Sequence, residues 1–112
     1  MAKWADKVIV AVHYSNSGES NRVIEKVKVF DYKENKSEDE KDELINGRNI
    51  LREAVISDIN KGTSYVTAYK NKDSGNYYKG KEVIVYAVKS KNYIKTEKNE
   101  KTEDNLDKIE EF

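Results

Sequence analysis

The sequence predicts an α+β fold: a small antiparallel sheet of about five strands, ordered ββαβββ along the chain, with one helix packed on one sheet face. Three observations carry that expectation. Apolar residues alternate at period two in several short runs, and the stretch 46–62 changes to a helical period. A chain of 112 residues, 37% hydrophobic and 38% charged, also has material for one core and a large polar surface, hence a single domain over 1–112.

The first strand is read over Lys7 to Tyr14, with Val8, Val10, Val12 and Tyr14 on one face and Ile9 and Ala11 on the other. Apolar residues on both faces mark it as central. "SNSGES" is a turn, and "NRVIEKVKVFDY" resumes alternation with Val23, Val27 and Val29 opposite Lys26 and Lys28, so the two strands form a hairpin. "KENKSEDEKDE" follows without an apolar residue; it buries too little to offset its ordering entropy, and 33–47 is expected to be a mobile charged loop.

In "NGRNILREAVISDINKG" the apolar residues Leu51, Val55 and Ile59 recur on one face with Ala54 beside them. The expectation is a short amphipathic helix with Asn49 as N-cap and Gly62 as its stop, preceded by a turn at Asn46-Gly47. Residues 64–70, 82–88 and 92–96 supply three further strands, the first two joined around "NKDSGN" and the last two by "KSKN". The tail, 97–112, is polar apart from Leu106, Ile109 and Phe112, which could dock one helical turn.

Composition excludes several classes of function. There is no cysteine, hence no disulfide framework, thiolate nucleophile or cysteine-ligated metal. Lys plus Arg and Asp plus Glu balance at 21 each, so no global field draws nucleic acid or an acidic membrane. The N-terminal apolar run is too short for a signal-peptide core or a membrane span, and the expected location is cytoplasmic, in a bacterial cell.

"WADKVIVAVHY", "INKGTSYVTAYKNKDSGNYYKGKEVIVYAV", "YIKTEKNEKTEDNL" and the closing "IEEF" resemble a family of short bacterial and phage proteins catalogued as domain of unknown function 3892. Asp104, Asn105 and Leu106 match the Asp-Asn-Leu of that family's ending, and Glu110 stands where its proline is expected. The resemblance implies a shared fold and a phage or bacterial setting. It transfers no activity, cofactor or catalytic residue.

Catalysis is not expected. His13 is the only histidine, on a strand beside apolar neighbours, without the second ligand or nucleophile that a metal site or triad needs. The carboxylates interleave with lysines and stay solvated, and no phosphate-cradling glycine loop, calcium loop or nucleophile elbow is present. No metal and no cofactor are predicted. Trp4 reads as a plug over the open end of the core, and Phe112 as an apolar end that packs back or docks on a partner.

The tyrosine-rich stretch 64–88 admits two readings. Strands favour tyrosines, whose rings bury while their hydroxyls stay wet, and lysines keep an edge soluble. Alternatively Tyr69, Tyr77, Tyr78 and Tyr93 offer stacking surfaces beside Lys70, Lys72, Lys79 and Lys95, with Arg22, Arg48 and Arg52 as planar grips on phosphate. That mixture suits a flat anion. The function expected from it is a non-enzymatic binding protein that antagonises host defence by sequestering a nucleotide-like signal, in a pocket shared between copies of a homo-oligomer. The alternative is a protein-interaction inhibitor of a host defence protein, acting by edge-strand addition or acidic-loop mimicry. A single-stranded nucleic-acid binder ranks behind both, because the net charge is zero.

Overall fold

In the computed structural model, residues 5–14, 23–33, 43–70, 73, 77–96, 98, 104, 106 and 109–112 are described. Trp4, Arg22, Lys72, Asn105, the 15–20 turn, loop residues 34–42 and most of the "NKDSGN" connection lie outside them.

Strand β1 (Lys7–Tyr14) pairs antiparallel with β2 (Ile24–Lys33), as the alternation predicts. β2 in turn pairs with β3 (Glu43–Leu51), which occupies the end of the stretch read as a loop and the beginning of the stretch read as a helix. The reason is pairing. Ile50 lies opposite Val27 and packs at the margin of the core, a contact that only extended backbone gives. Asn46 takes a left-handed φ of 56° where a reversal of the chain was expected, and the strand continues through it.

Helix α1 (Arg52–Asn60) therefore begins later than expected, capped by Leu51 without a side-chain bond in place of Asn49. Its inward stripe is Arg52, Val55, Ile56 and Ile59; Leu51 is instead 60% exposed at the end of β3, and Ala54 is exposed. Gly62, at φ 101°, turns the chain out of the helix as its position predicts.

The chain then enters β4 (Tyr65–Lys70), which runs parallel to β1. β3, α1 and β4 form a crossover that lays the helix over one face, so the sheet is mixed and not purely antiparallel. β5 (Tyr77–Glu82) closes the far edge against β4. Its polar sequence hid it, since an edge strand needs little apolar surface. At Val83, whose amide donates to Tyr65 O at 2.9 Å, the chain leaves the main sheet. β6 (Ile84–Val88) and β7 (Lys91–Lys95) make a separate two-stranded sheet around a turn at Lys89 and Ser90, both at positive φ. The 82–88 strand thus splits in two, and its partner is β7.

The tail returns to the core. Leu106 and Ile109 are buried, and β8 (Glu110–Glu111) adds parallel to β1 opposite Ala11 and Val12, extended and not helical. β4 covers the same edge of β1 only over Lys7 to Ile9, so β8 completes the edge where β4 diverges. The main sheet has six strands in the order β3-β2-β1-β4-β5 with β8 on β1.

Two apolar clusters lie on its two sides. Under α1 and the β6-β7 hairpin sit Ile9, Val12, Ile24, Val27, Val29, Val55, Tyr65, Val83, Ile94, Leu106 and Ile109. On the open face are Ala5, Val8, Val10, Ala11, Val66 and Ala68, rimmed by Phe30, Tyr32, Leu44 and Tyr77. A bulge at Val10 puts Val10 and Ala11 on the same side and returns Val12 to the helix side. This breaks the strict period that placed Val8, Val10 and Val12 together.

Candidate functional site

Alternation along β4 and β5 divides the predicted tyrosine and lysine cluster between the two faces. Tyr69 pairs with Tyr78 on the helix side, where Tyr69 packs at the core margin and Tyr78 is 53% exposed. Lys70, Tyr77 and Lys79 share the open face with Ala68. A hydrogen at Gly80 lets β5 approach, because a Cβ there would lie 2.3 Å from Thr67 Oγ1 and 2.9 Å from Thr67 O.

Three of the named residues are interior. Tyr93 is 5% exposed and Lys95 has no exposed surface. The Lys95 ammonium lies 5.5 Å from the Tyr93 ring centre and 5.9 Å from that of Tyr86. Arg52 points inward from the first turn of α1, donating from Nε to Asp104 Oδ2 at 2.7 Å, from Nη2 to Asp104 Oδ1 at 3.1 Å, and to Asn92 O. Asp104 also accepts the amides of Ile24 and Ile94, each at 2.8 Å. This buried carboxylate ties the tail to the sheet, the helix and the hairpin. The Asp-Asn-Leu resemblance was the sequence signal for it, with Leu106 fully buried two residues on.

Arg48 is held as well: its guanidinium meets Asp31 Oδ1 at 3.1 Å and Asn46 O at 2.8 Å. Burial raises the Asp31 carboxyl, but hydrogen bonds from Asn46 and Arg48 outweigh it and hold the group below the usual carboxylate value. Nearby, the Tyr65 hydroxyl donates to Asp58 Oδ2 at 2.5 Å and Lys7 Nζ approaches it at 3.2 Å. The Tyr65 bond, assisted by Lys7 and opposed by burial, lowers the Asp58 carboxyl; burial and that same carboxylate push the Tyr65 phenol up.

Tyr78 stays accessible on the helix side, and the open face carries a concavity. An open cleft of about 400 Å³ has Val10 and Ala11 as its floor, Lys28 and Gly47 to Asn49 along one wall, and Tyr77, Glu110 and Phe112 along the other. Register sets Lys28 opposite Asn49. Phe30 lies across Gly47, where a Cβ would meet its ring at 2.5 Å, and its ring centre is 6.2 Å from that of Tyr77. Phe112, 44% exposed, is pinned by its amide to Val12 O at 2.9 Å and sits 5.8 Å from both the His13 ring and Lys26 Nζ. Lys28 and Phe112 were not among the ligand-binding residues named from sequence, because only strand pairing brings them to Tyr77.

Among the described residues no group of three or more His, Asp or Glu side chains is placed to hold a metal, and no helix is long and apolar enough to cross a membrane. The family described as protein of unknown function DUF3892 matches residues 8–109, and the chain belongs to it. No curated protein and no solved structure matches the chain.

Proposed function

We propose that the protein is a non-enzymatic binding protein whose open-face cleft takes a flat, anionic, nucleotide-like ligand. The observation that carries this reading is the meeting of Lys28 and Asn49 on one wall with the Tyr77 and Phe112 rings on the other, over an apolar floor. Rings stack on a base at roughly 1–3 kcal/mol each, while an ammonium neutralises phosphate and an amide reads a base edge. Lys26, Lys70 and Lys79 add positive charge on the same face. The tyrosine and lysine pattern thus contributes through Tyr77, Lys70 and Lys79, while Tyr93, Lys95 and Arg52 serve the interior. We read the role as sequestration of a host-defence signal, in the phage or bacterial setting that the family resemblance suggests without implying any activity, and a pocket shared between two copies would enclose the ligand further.

Calorimetric titration with ATP, GTP and cyclic dinucleotides tests the reading. Saturable binding that is lost in Lys28→Glu and Tyr77→Ala supports it; a full panel without heat at millimolar ligand refutes it. A protein-interaction role is favoured by a different observation: β3 is a nine-residue outer strand ending on exposed Leu51, a template for strand addition. A stable host-protein complex abolished by a proline in β3 would select that role.

A further inference from the structure

We propose that β3 is the contact between two copies of this chain, paired antiparallel about a two-fold axis at Arg48. The pairing is a property of the strand; only its consequence for the cleft rests on the ligand reading above. Among the described residues the main sheet ends on β3 at one side and β5 at the other, and the two edges differ in kind. β5 carries Lys79, Lys81 and Glu82, charges of the sort that keep an edge from pairing. From 44 to 51, β3 reads "LINGRNIL", with four aliphatic residues, no lysine, and one charge already engaged, since Arg48 meets Asp31 at 3.1 Å. Leu51 is 60% exposed, and Asn46, Gly47 and Asn49 are exposed along the same strand.

The same stretch reads alike in both directions outside its centre: Leu-Ile-Asn, then Gly-Arg, then Asn-Ile-Leu. Two-fold pairing of antiparallel strands sets residue i of one copy against residue j of the other, and j against i, so such a sequence brings like to like. Opposed residues must share a sheet face, and in a regular strand Leu44 and Leu51, seven apart, would not. A bulge removes that obstacle. Val29 pairs with Arg48 and Asp31 with Ile45, so Phe30 alone stands opposite Asn46 and Gly47, with Asn46 at a φ of 56°. Leu44 consequently rims the open-face cluster and Leu51 falls on that same face, while Ile45 and Ile50 share the helix side, where Ile50 packs at the core margin. Self-pairing then opposes Leu44 to Leu51, Ile45 to Ile50 and the Asn46-Gly47 bulge to Asn49, each twice. Arg48 meets its own copy on the axis, each guanidinium held by an Asp31 carboxylate. Because the axis stands perpendicular to the sheet, both clefts open on one continuous face, with Asn49, a cleft-wall residue, at the seam.

Sedimentation velocity of the full ligand-free chain from about 1 µM to about 1 mM covers tight and weak association. The expected species has twice the 13.0 kDa mass of the chain, with a dissociation constant at least about tenfold higher in Leu51→Glu, where the contact is lost on both sides of the axis. That substitution spares the monomer, because Leu51 is exposed, Lys26 lies opposite it on β2, and a carboxylate is favoured at a helix start. The chain has no cysteine, so cross-linking reads the register. Leu44→Cys and Leu51→Cys, mixed and oxidised, should form a disulfide-linked dimer; neither should do so alone, because each residue's own copy lies at the far end of the paired strands. A 13.0 kDa monomer across the whole range overturns the pairing and leaves β3 to a different protein. A dimer unaffected by Leu51→Glu, or Leu51→Cys linked to itself, overturns it as well, since another surface or register then joins the copies. ATP titration of the same samples separates the two readings. A β3 dimer that takes no ATP keeps the pairing and removes the cleft reading, and a monomer that binds ATP does the reverse.

Discussion

Asp104 and Lys28 are single charges set against opposite faces of one sheet, and the fold treats them in opposite ways. Asp104 is 2% exposed and takes bonds from Arg52, Ile24 and Ile94. Lys28 is exposed, its ammonium 6.0 Å from the Phe30 ring, on the wall of an open cleft. A buried charge with a full set of donors holds a structure together, whereas an exposed charge beside aromatic rings is available to something that arrives. Substitutions along this contrast should separate stability from binding.

The largest effect is expected at Asp104. Asp104→Ala leaves the Arg52 guanidinium in the interior without its counter-ion and strips two buried amides of their acceptor, a loss of about 3–5 kcal/mol. The urea midpoint measures it. A loss under about 1 kcal/mol would mean that water reaches this site and that the contrast with Lys28 is false.

Next is Gly80→Ala. The new methyl would press into the Thr67 backbone and hydroxyl, and backbone cannot rotate away, so about 1–3 kcal/mol should be lost as β5 is pushed from β4. Lys81 N, which donates to Thr67 Oγ1 at 3.0 Å, should lose its exchange protection first.

Tyr65→Phe comes third and carries a pH signature. The Asp58 carboxyl is held below the ordinary carboxylate range, chiefly because the Tyr65 hydroxyl donates to it. A depressed carboxyl contributes stability that is fully present above the unfolded value and lost as pH falls through the lower folded one. Removing the hydroxyl should cost about 1.5–2 kcal/mol at neutral pH, and that difference should shrink on acidification below about pH 4. A difference that stays constant with pH would place the loss in packing and not in the bond to Asp58.

Much of the fold was legible because periodicity reports burial. β1, β2, β4, β7 and the helix all show in the pattern of Val, Ile and Tyr. β3 and β5 did not: β5 is an edge strand with little apolar character, and in β3 the apolar pairs Leu44-Ile45 and Ile50-Leu51 are separated by Asn46-Gly47, which reads as a turn. The parallel pairing of β1 with β4 is a property of the crossover through α1, which no local pattern encodes. The site was legible in part. Tyr77, Lys70 and Lys79 were named from composition and do share the open face. Arg52, Tyr93 and Lys95 were named on the same grounds and are interior, because residue type tells what a side chain can bind and not which side of the sheet it meets. Lys28 reaches the site through pairing with Asn49, and Phe112 through the return of the tail, both long-range events.

The smallest stability effect, and the sharpest test of the contrast, belongs to Lys28. Its side chain is exposed, its contact with Phe30 is at the outer limit of a cation–π distance, and its strand position is set by Val27 and Val29 on the other face. Lys28→Glu should therefore shift the urea midpoint by no more than about 0.5 kcal/mol equivalent. The same change puts a carboxylate beside Glu110 on the cleft walls, so an anionic ligand would meet like charge from both sides. Nucleotide binding should then fall by more than the roughly tenfold that loss of one exposed ion pair explains. If stability falls as far as in Gly80→Ala, Lys28 belongs with Asp104 as a structural charge and the cleft is merely sheet surface. If stability holds and nucleotide binding disappears, the two faces of β2 divide their work as the burial of their side chains implies, Val27 and Val29 holding the fold and Lys28 meeting the ligand.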